Sequence, residues 1–380
     1  MMKKNLMSAV VLMCAVLSFA AGTKDKDTKN GKELSVVTTI FPVFDFTRAV
    51  MYGAPDAKSG KVSEAVSVAV QSDASLKMLV KPGMEIHSFD PSPADIAAIQ
   101  NADVFIYIGG ESDEWVHDIL ESMDVSGKTV VRLSDYVDLV EEEIVEGMEL
   151  NHDHDAHKAD DHSHKHKHTH DGHEHKHKGD GHDHESDEHE HEHEADEHIW
   201  TSPANAVKMV EAIRDALVQA DMKKSGGQKA DSFVKNAADY CGQIQNTANA
   251  ISAVVENAHD KFILVGDRFP LRYFADYYGL TYSAAFSGCS TAVEADAATI
   301  AGLIDKTVKK GTRAIFSIEL SNQKIAKTIA EGAYKASGQS IKPDVLELHS
   351  VHNVTKNDFK AGETWVSLMM RNAQVLKQGL

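Results

Sequence analysis

A stretch near the middle of the chain cannot join any hydrophobic core, so whatever folds must fold on either side of it. From His152 to His198 it alternates histidine with aspartate, glutamate, lysine and a few small polar residues. Seventeen of the chain's 22 histidines lie there, and the only aliphatic side chains are Ala156, Ala159 and Ala195. Fixing a residue costs roughly 1–2 kcal/mol of backbone entropy. With no apolar burial to offset that, the run is expected to be disordered when empty. A solvated spacer would need Asp, Glu, Gly or Ser, but has no use for alternating histidine. Imidazole suits zinc, copper and nickel, so the composition points to metal binding.

The remainder is long enough for two domains of about 100–200 residues each, and 42% hydrophobic residues is a globular content. A formal net charge of −19 argues against nucleic acid as a partner and fits a cationic ligand. At the N-terminus, Lys3 and Lys4 precede an apolar stretch from Leu6 to Phe19 and a small-x-small site at Ser18-Phe19-Ala20. Residues 1–22 read as a secretory signal peptide, too short to span a bilayer. Export to a periplasmic or cell-surface location is expected. Cys14 raises lipid anchoring as an alternative, against which stands the bulky Met13 before it. Cys241 falls in a helical pattern and reads as a small buried residue. A disulfide between Cys241 and Cys289 is left open, since sequence does not place the two sulfurs.

After a polar tether (23–33), residues 34–150 alternate strands and helices. Leu34–Thr39, Leu76–Val80, Val104–Ile108 and Thr129–Leu133 read as strands. Phe41–Met51 and Ser112–Met123 read as helices, and Ser92-Pro93 starts another. After the His-rich loop (151–197), Ser202-Pro203 opens a helix to about Ala220, and 228–257 is a long helical stretch. Alternation then resumes over 258–380. Phe262–Val265, Tyr282–Phe286, Ala314–Ile318 and Val345–Leu348 are strands; Pro270–Tyr278, Ala297–Lys310, Asn322–Ala336 and Thr364–Gln378 are helices. This is an α/β chain of two lobes, each a parallel sheet flanked by helices, joined by a long helix, with 198–227 completing the first lobe.

In open parallel sheets, ligands bind beyond the carboxyl ends of the strands. His87, Asp267, Glu319, His349 and His352 all follow strands, and His198 sits just before a helix cap. These six are the candidates for a metal site in the cleft between the lobes. Each has a structural alternative: His87 as a turn residue, His198 as the tail of the tract, His352 as a cap. The alternative for Asp267 is pairing with Arg268, and for Glu319 the orienting of a histidine. Glu85 and Glu111 are further candidates as outer carboxylates, while His117 reads as a helix-face residue and His259 as structural. Three histidines and one carboxylate make a tetrahedral site that suits Zn²⁺, whereas manganese would want more oxygen.

Two motifs carry a resemblance. PGMEIHSFDPSPADIAAIQNADVFIYIGG and DEHIWTSPANAVKMVEAI resemble the metal-binding proteins of zinc and manganese ABC importers, over about residues 34–380. In that family, a PG-x-x-x-H-x-x-x-PSP stretch and a D-P-H-x-W stretch each give one metal histidine, here His87 and His198. The family often carries an acidic His-rich loop just before the second motif, as here. The resemblance implies two α/β lobes bridged by a rigid helix at about 228–257. Glu197 replaces the proline of D-P-H and is expected to be tolerated. The third ligand should fall in LVGDRFPLRYF, where Asp267 is the nearest substitute, and the fourth aligns with His349. The expected set is therefore His87, His198, His349 and Asp267, with His352 and Glu319 as alternates.

The resemblance implies an exported, monomeric zinc receptor that hands Zn²⁺ to an ABC permease and performs no catalysis. Rival readings are a manganese or iron receptor of the same class, and a free periplasmic zinc buffer or chaperone. A hydrolytic zinc enzyme would need an open coordination position and a general base, and no HExxH motif is present outside the low-complexity His tract. Cell adhesion is a further assignment within the family on which these residues do not bear.

Overall fold

A computed structural model describes residues 33–64, 66–67, 75–143, 195–288 and 295–380. The expected leader with Cys14, most of the tether, Cys289, and the His tract up to Glu194 lie outside the described residues. The first lobe contains β1 (Val36–Thr38), α1 (Phe41–Tyr52), β2 (Leu76–Met78), α2 (Pro93–Asn101), β3 (Val104–Tyr107), α3 (Trp115–Glu121) and β4 (Thr129–Arg132). Its four strands are parallel in the order β2-β1-β3-β4. The second contains β5 (Phe262–Phe269), α6 (Arg272–Tyr278), β6 (Thr281–Ser287), α7 (Ala297–Lys310), β7 (Ala314–Ser317), α8 (Lys324–Ala336) and β8 (Asp344–Glu347). Its strands are parallel in the order β6-β5-β7-β8. Between the lobes lie α4 (Pro203–Ser225) and α5 (Ala230–Glu256), and the chain closes with α9 (Lys356–Lys360) and α10 (Trp365–Gly379).

Local chemistry explains the element ends. Ser92 caps α2 through a capping box with Asp95, and Pro93 takes the first helical position. Ser202 and Pro203 repeat the device at α4, which stops at Gly226 in the left-handed region. Two elements differ from the sequence expectation. The helix expected over Ser112–Met123 is split: Glu111–Asp113 forms a 3₁₀ turn before α3. Strand β5 runs on to Phe269 through a register shift between Val265 and Arg268, and therefore carries Asp267 within it.

The lobes share one continuous core, which takes Val36 and Val104 from one sheet and Ile263, Val265 and Phe316 from the other. Helix α5 lies across it. Tyr240 on α5 donates to Asp45 on α1 (2.5 Å), and the backbone N–H of Trp365 donates to the same carboxylate (2.9 Å). Two fully buried tryptophans continue the tie. Trp365 Nε1 donates to the carbonyl of Trp200 (2.8 Å), and Trp200 Nε1 donates to the carbonyl of Ser350 (2.9 Å). Trp365→Phe strands a buried carbonyl, so it is expected to lower stability by about 1–3 kcal/mol. An unchanged urea midpoint would show that this tie does not matter. Among the described residues, no helix is long and apolar enough to cross a membrane.

Candidate metal centre

The loops at the carboxyl ends of the two sheets bring four side chains together. His87 lies on the loop after β2, Glu197 and His198 lie just before α4, and His352 lies on the loop after β8. Each offers a ligand atom, and these atoms all fall within 4.8 Å of one another. Ring centroids are 4.9 Å apart for His198 and His352, 5.2 Å for His87 and His352, and 6.3 Å for His87 and His198. Glycine permits the close approach. A Cβ on Gly110 would sit 2.2 Å from Cβ of Glu197, and one on Gly288 would sit 3.1 Å from Cε1 of His198.

Hydrogen bonds fix how the ligand atoms point. Ser112 donates its backbone N–H to Oε2 of Glu197 (2.9 Å) and its hydroxyl to Oε1 (2.5 Å). The same hydroxyl lies 3.0 Å from Nδ1 of His87. Its one proton is committed to Glu197, so His87 must donate from Nδ1, which leaves the Nε2 lone pair for a ligand. Nδ1 of His198 lies 3.0 Å from Oδ1 of Asp196, which also accepts the His198 backbone N–H (2.8 Å). A carboxylate behind an imidazole is the usual outer support of a metal histidine. Nε2 of His198 and Nε2 of His352 are both buried and have no hydrogen-bond partner. Buried polar atoms are normally satisfied, so two orphans facing one cluster mark a place for a cation.

The electrostatics are graded. Burial pushes His352 well below the usual imidazole range, and the nearby His198, His87 and Arg268 add to the shift. Burial also lowers His87, with Glu197 opposing. For His198, burial lowers and Asp196 raises, and the carboxylate wins, so the ring sits above its ordinary value. The two lowered histidines stay neutral into mildly acid solution, with lone pairs available.

Asp113 shapes the turn that carries Ser112. Its Oδ2 accepts the N–H groups of Ile108 (2.8 Å) and Gly109 (3.2 Å). Burial pushes its carboxyl up to about 7, opposed by those N–H groups. A folded-state value above the roughly 3.9 of an unfolded Asp means that this group stabilises at low pH and loses that contribution as pH rises through about 7. In metal-free protein, Asp113→Asn is expected to be more stable than the parent by over ~1 kcal/mol at pH 8. The difference should close below about pH 4, as denaturant titrations at the two pH values would read. A variant less stable at pH 8 would contradict this.

The second-lobe loop that holds His352 is strained and tightly held. Val351, a buried β-branched residue, has φ 63°, which such residues avoid. Glu319 holds the loop there. It accepts from the N–H (2.8 Å) and hydroxyl (2.6 Å) of Ser350 and from the N–H of His352 (2.9 Å). His349 accepts the N–H of Val351 at its own Nδ1 (2.8 Å), while its backbone is clamped by Asn372.

Of the candidates read from sequence, His87, His198 and His352 converge. His349 does not join them; its ring is spent on the turn. Asp267 also stays out: within the extended β5 it is engaged by the hydroxyl of Ser321 and the N–H of Arg268 (3.0 Å). Glu319 supports His352 from behind. Glu197 joins the cluster although its sequence position marked it only as a replacement for proline. Arg268 pairs with Glu85 across the mouth at 3.0 Å. His117 is exposed beside Glu121.

The base of the His tract closes next to this centre. Glu141 and Ala195 form an antiparallel bridge, and the N–H of Asp196 donates to the carbonyl of Val140 (2.9 Å). The Tyr273 hydroxyl donates to the carbonyl of Asp196 (2.9 Å) and accepts the N–H of Val140 (3.1 Å).

Residues 36–379 match the protein family described as ZnuA, zinc-uptake complex component A, periplasmic. The zinc-binding lipoprotein AdcA of Streptococcus pneumoniae (strain ATCC BAA-255 / R6) is 30% identical over 376 residues, covering 99% of this chain and 61% of AdcA. The chain thus spans about three-fifths of the length of the streptococcal relatives it matches. The high-affinity zinc uptake system protein ZnuA of Bacillus subtilis (strain 168) is 26% identical over 375 residues, covering 98% of this chain and 96% of that protein. Among solved structures, the Zn(II)-bound ZnuA-like domain of S. pneumoniae AdcA superposes with a TM-score of 0.60 at 24% identity, over 91% of this chain and 98% of that one. That last likeness bears on the fold.

Proposed function

We propose that this chain, which belongs to the ZnuA family of periplasmic zinc-uptake components, is an exported zinc receptor that holds one Zn²⁺ between its lobes and delivers it to an ABC permease. Zinc is its cargo and no chemical step is involved. The proposed ligands are His87, Glu197, His198 and His352. The observation that carries the reading is the pair of buried, partnerless Nε2 atoms of His198 and His352 inside a four-residue cluster. Three imidazoles and one carboxylate form the set that suits four-coordinate zinc. Its single carboxylate is a poor match for manganese, which prefers oxygen.

The zinc named for AdcA and for the B. subtilis protein points the same way. The lipoprotein named among the relatives fits export with a lipid anchor, which would fall on Cys14. The His tract, rooted beside the centre, would raise the local zinc concentration as a tethered set of weak sites. A monomer suffices for the proposed site, since one chain offers all four ligands.

A competition experiment tests the choice of metal. Protein carrying one equivalent of Zn²⁺ is dialysed against equal concentrations of Zn²⁺ and Mn²⁺, and bound metal is measured by mass spectrometry. Zinc retention is expected; replacement by manganese would favour the manganese receptor of the same importer class. Binding of purified protein to membranes that contain the cognate permease separates a receptor from a free zinc buffer, which would show none.

A further inference from the structure

We propose that Asn353 is a positioning residue for the metal: its side-chain amide fastens the loop carrying His87 to the loop carrying His352, and this clasp sets how fast the metal leaves. The proposal rests on the zinc-receptor reading above and adds a role for a side chain that touches no metal.

Asn353 is almost fully buried, at 3% exposure. Its Nδ2 donates to the carbonyls of Met84 (2.8 Å) and Lys81 (3.1 Å), both on the other lobe. Its Oδ1 accepts the N–H of Val354 (2.8 Å). Both amide protons are therefore spent across the cleft, and the carbonyl oxygen anchors the side chain at home. The Lys81–Met84 turn leads directly to His87, and the residue before Asn353 is His352. One amide thus spans the lobes at the point where the proposed ligands from the two sides meet.

The division of the ligand set gives that position its importance. His87, Glu197 and His198 come from loops of the first lobe or its return, whereas His352 comes from the second. Departure of the second lobe takes one ligand away and leaves three. Nearer solvent, Arg268 from β5 pairs with Glu85 at 3.0 Å, a second crossing with one half-exposed partner. A half-exposed pair contributes little on its own, so the buried amide is the stronger part of the clasp.

The chemistry also accounts for asparagine. Two facing carbonyls need two donors from one short side chain. Aspartate has the same shape, but it offers no donor and places negative charge against both carbonyls.

The test uses the full chain loaded with one equivalent of Zn²⁺ and mixed with excess EDTA, with release followed by stopped flow. The slow phase reports the cleft. Asn353→Asp is expected to speed that phase about 10–100-fold, as follows from losing buried hydrogen bonds, with little change in the association rate. Asn353→Ser, which keeps one donor on a smaller side chain, should release at an intermediate rate and provides the reading should the aspartate variant not fold. Glu85→Gln should accelerate release less than Asn353→Asp. A merely structural role would instead lower the unfolding midpoint of the metal-free protein and leave the release rate of folded variants alone. A slow phase at the parent rate in either folded Asn353 variant overturns the clasp while the receptor reading stands. Absence of any slow phase in the parent protein overturns the receptor reading, and the clasp with it.

Discussion

Replacing His198 and His352 together by alanine is expected to abolish one-to-one tight zinc binding. The two Nε2 atoms are the buried orphans of the cluster, so they have no other task to fall back on. Losing an outer support of a metal histidine already costs about 10–100-fold in affinity. Losing two ligands outright should exceed about 1,000-fold on the same scale. Calorimetry should then record only the weak, multiple sites of the His tract. A tight site of unchanged stoichiometry would remove the basis of the proposed function. The variant relieves two unsatisfied polar atoms but leaves a cavity and takes a hydrogen-bond partner from buried Asp196, so an unfolding transition of the metal-free variant is measured alongside the titration.

Glu319→Ala should damage both the fold and the site. Three donors, two from Ser350 and one from His352, lose their buried acceptor at once. Each stranded donor costs about 1–3 kcal/mol, so a loss of roughly 3 kcal/mol or more in unfolding free energy is expected. With the acceptor gone, only the His349 contact to its N–H holds Val351 at φ 63°, and the loop should relax to a common conformation that carries His352 out of the cluster. Zinc affinity should fall by at least the 10–100-fold of an outer-support loss. Glu319→Gln keeps the shape and one acceptor oxygen, so it should lie between. Were Glu319→Ala to retain full stability and lose only zinc, the carboxylate would be a direct ligand, the alternate role read from the sequence.

These two predictions also mark where the sequence stopped being readable. Alternating apolar runs and Ser-Pro caps were enough to place both parallel sheets, the helices around them and the long α5. The rule that ligands gather beyond strand ends then brought His87, His198 and His352 into view. It placed His349 ahead of His352, whereas in the structure His352 lies in the cluster and His349 does not. That choice depends on a left-handed turn at Val351, a conformation that a β-branched residue does not announce, and on a distant glutamate that enforces it. Asp267 was favoured as the nearest substitute for the third ligand of the resembled family, at the end of a strand expected to stop at Val265. The strand continues past a register shift, and the carboxylate turns to Ser321. Glu197 was read only as a tolerated replacement for the proline of D-P-H. Its part becomes legible only with Ser112, eighty-five residues away in sequence, holding both of its oxygens.

The Tyr273 hydroxyl, which joins Val140 to Asp196 on either side of the His tract, has an evolutionary corollary. Because the two stems are stapled to each other and to α6, their positions are held by contacts outside the insert. Doubling the length of an insert there is expected to add only about 0.6 kcal/mol of closure entropy. Such a body could gain, lose or rewrite its insert over generations while keeping its fold. By the same logic, a laboratory could graft a fluorescent reporter between residues 143 and 195, at a junction already shaped to receive foreign sequence.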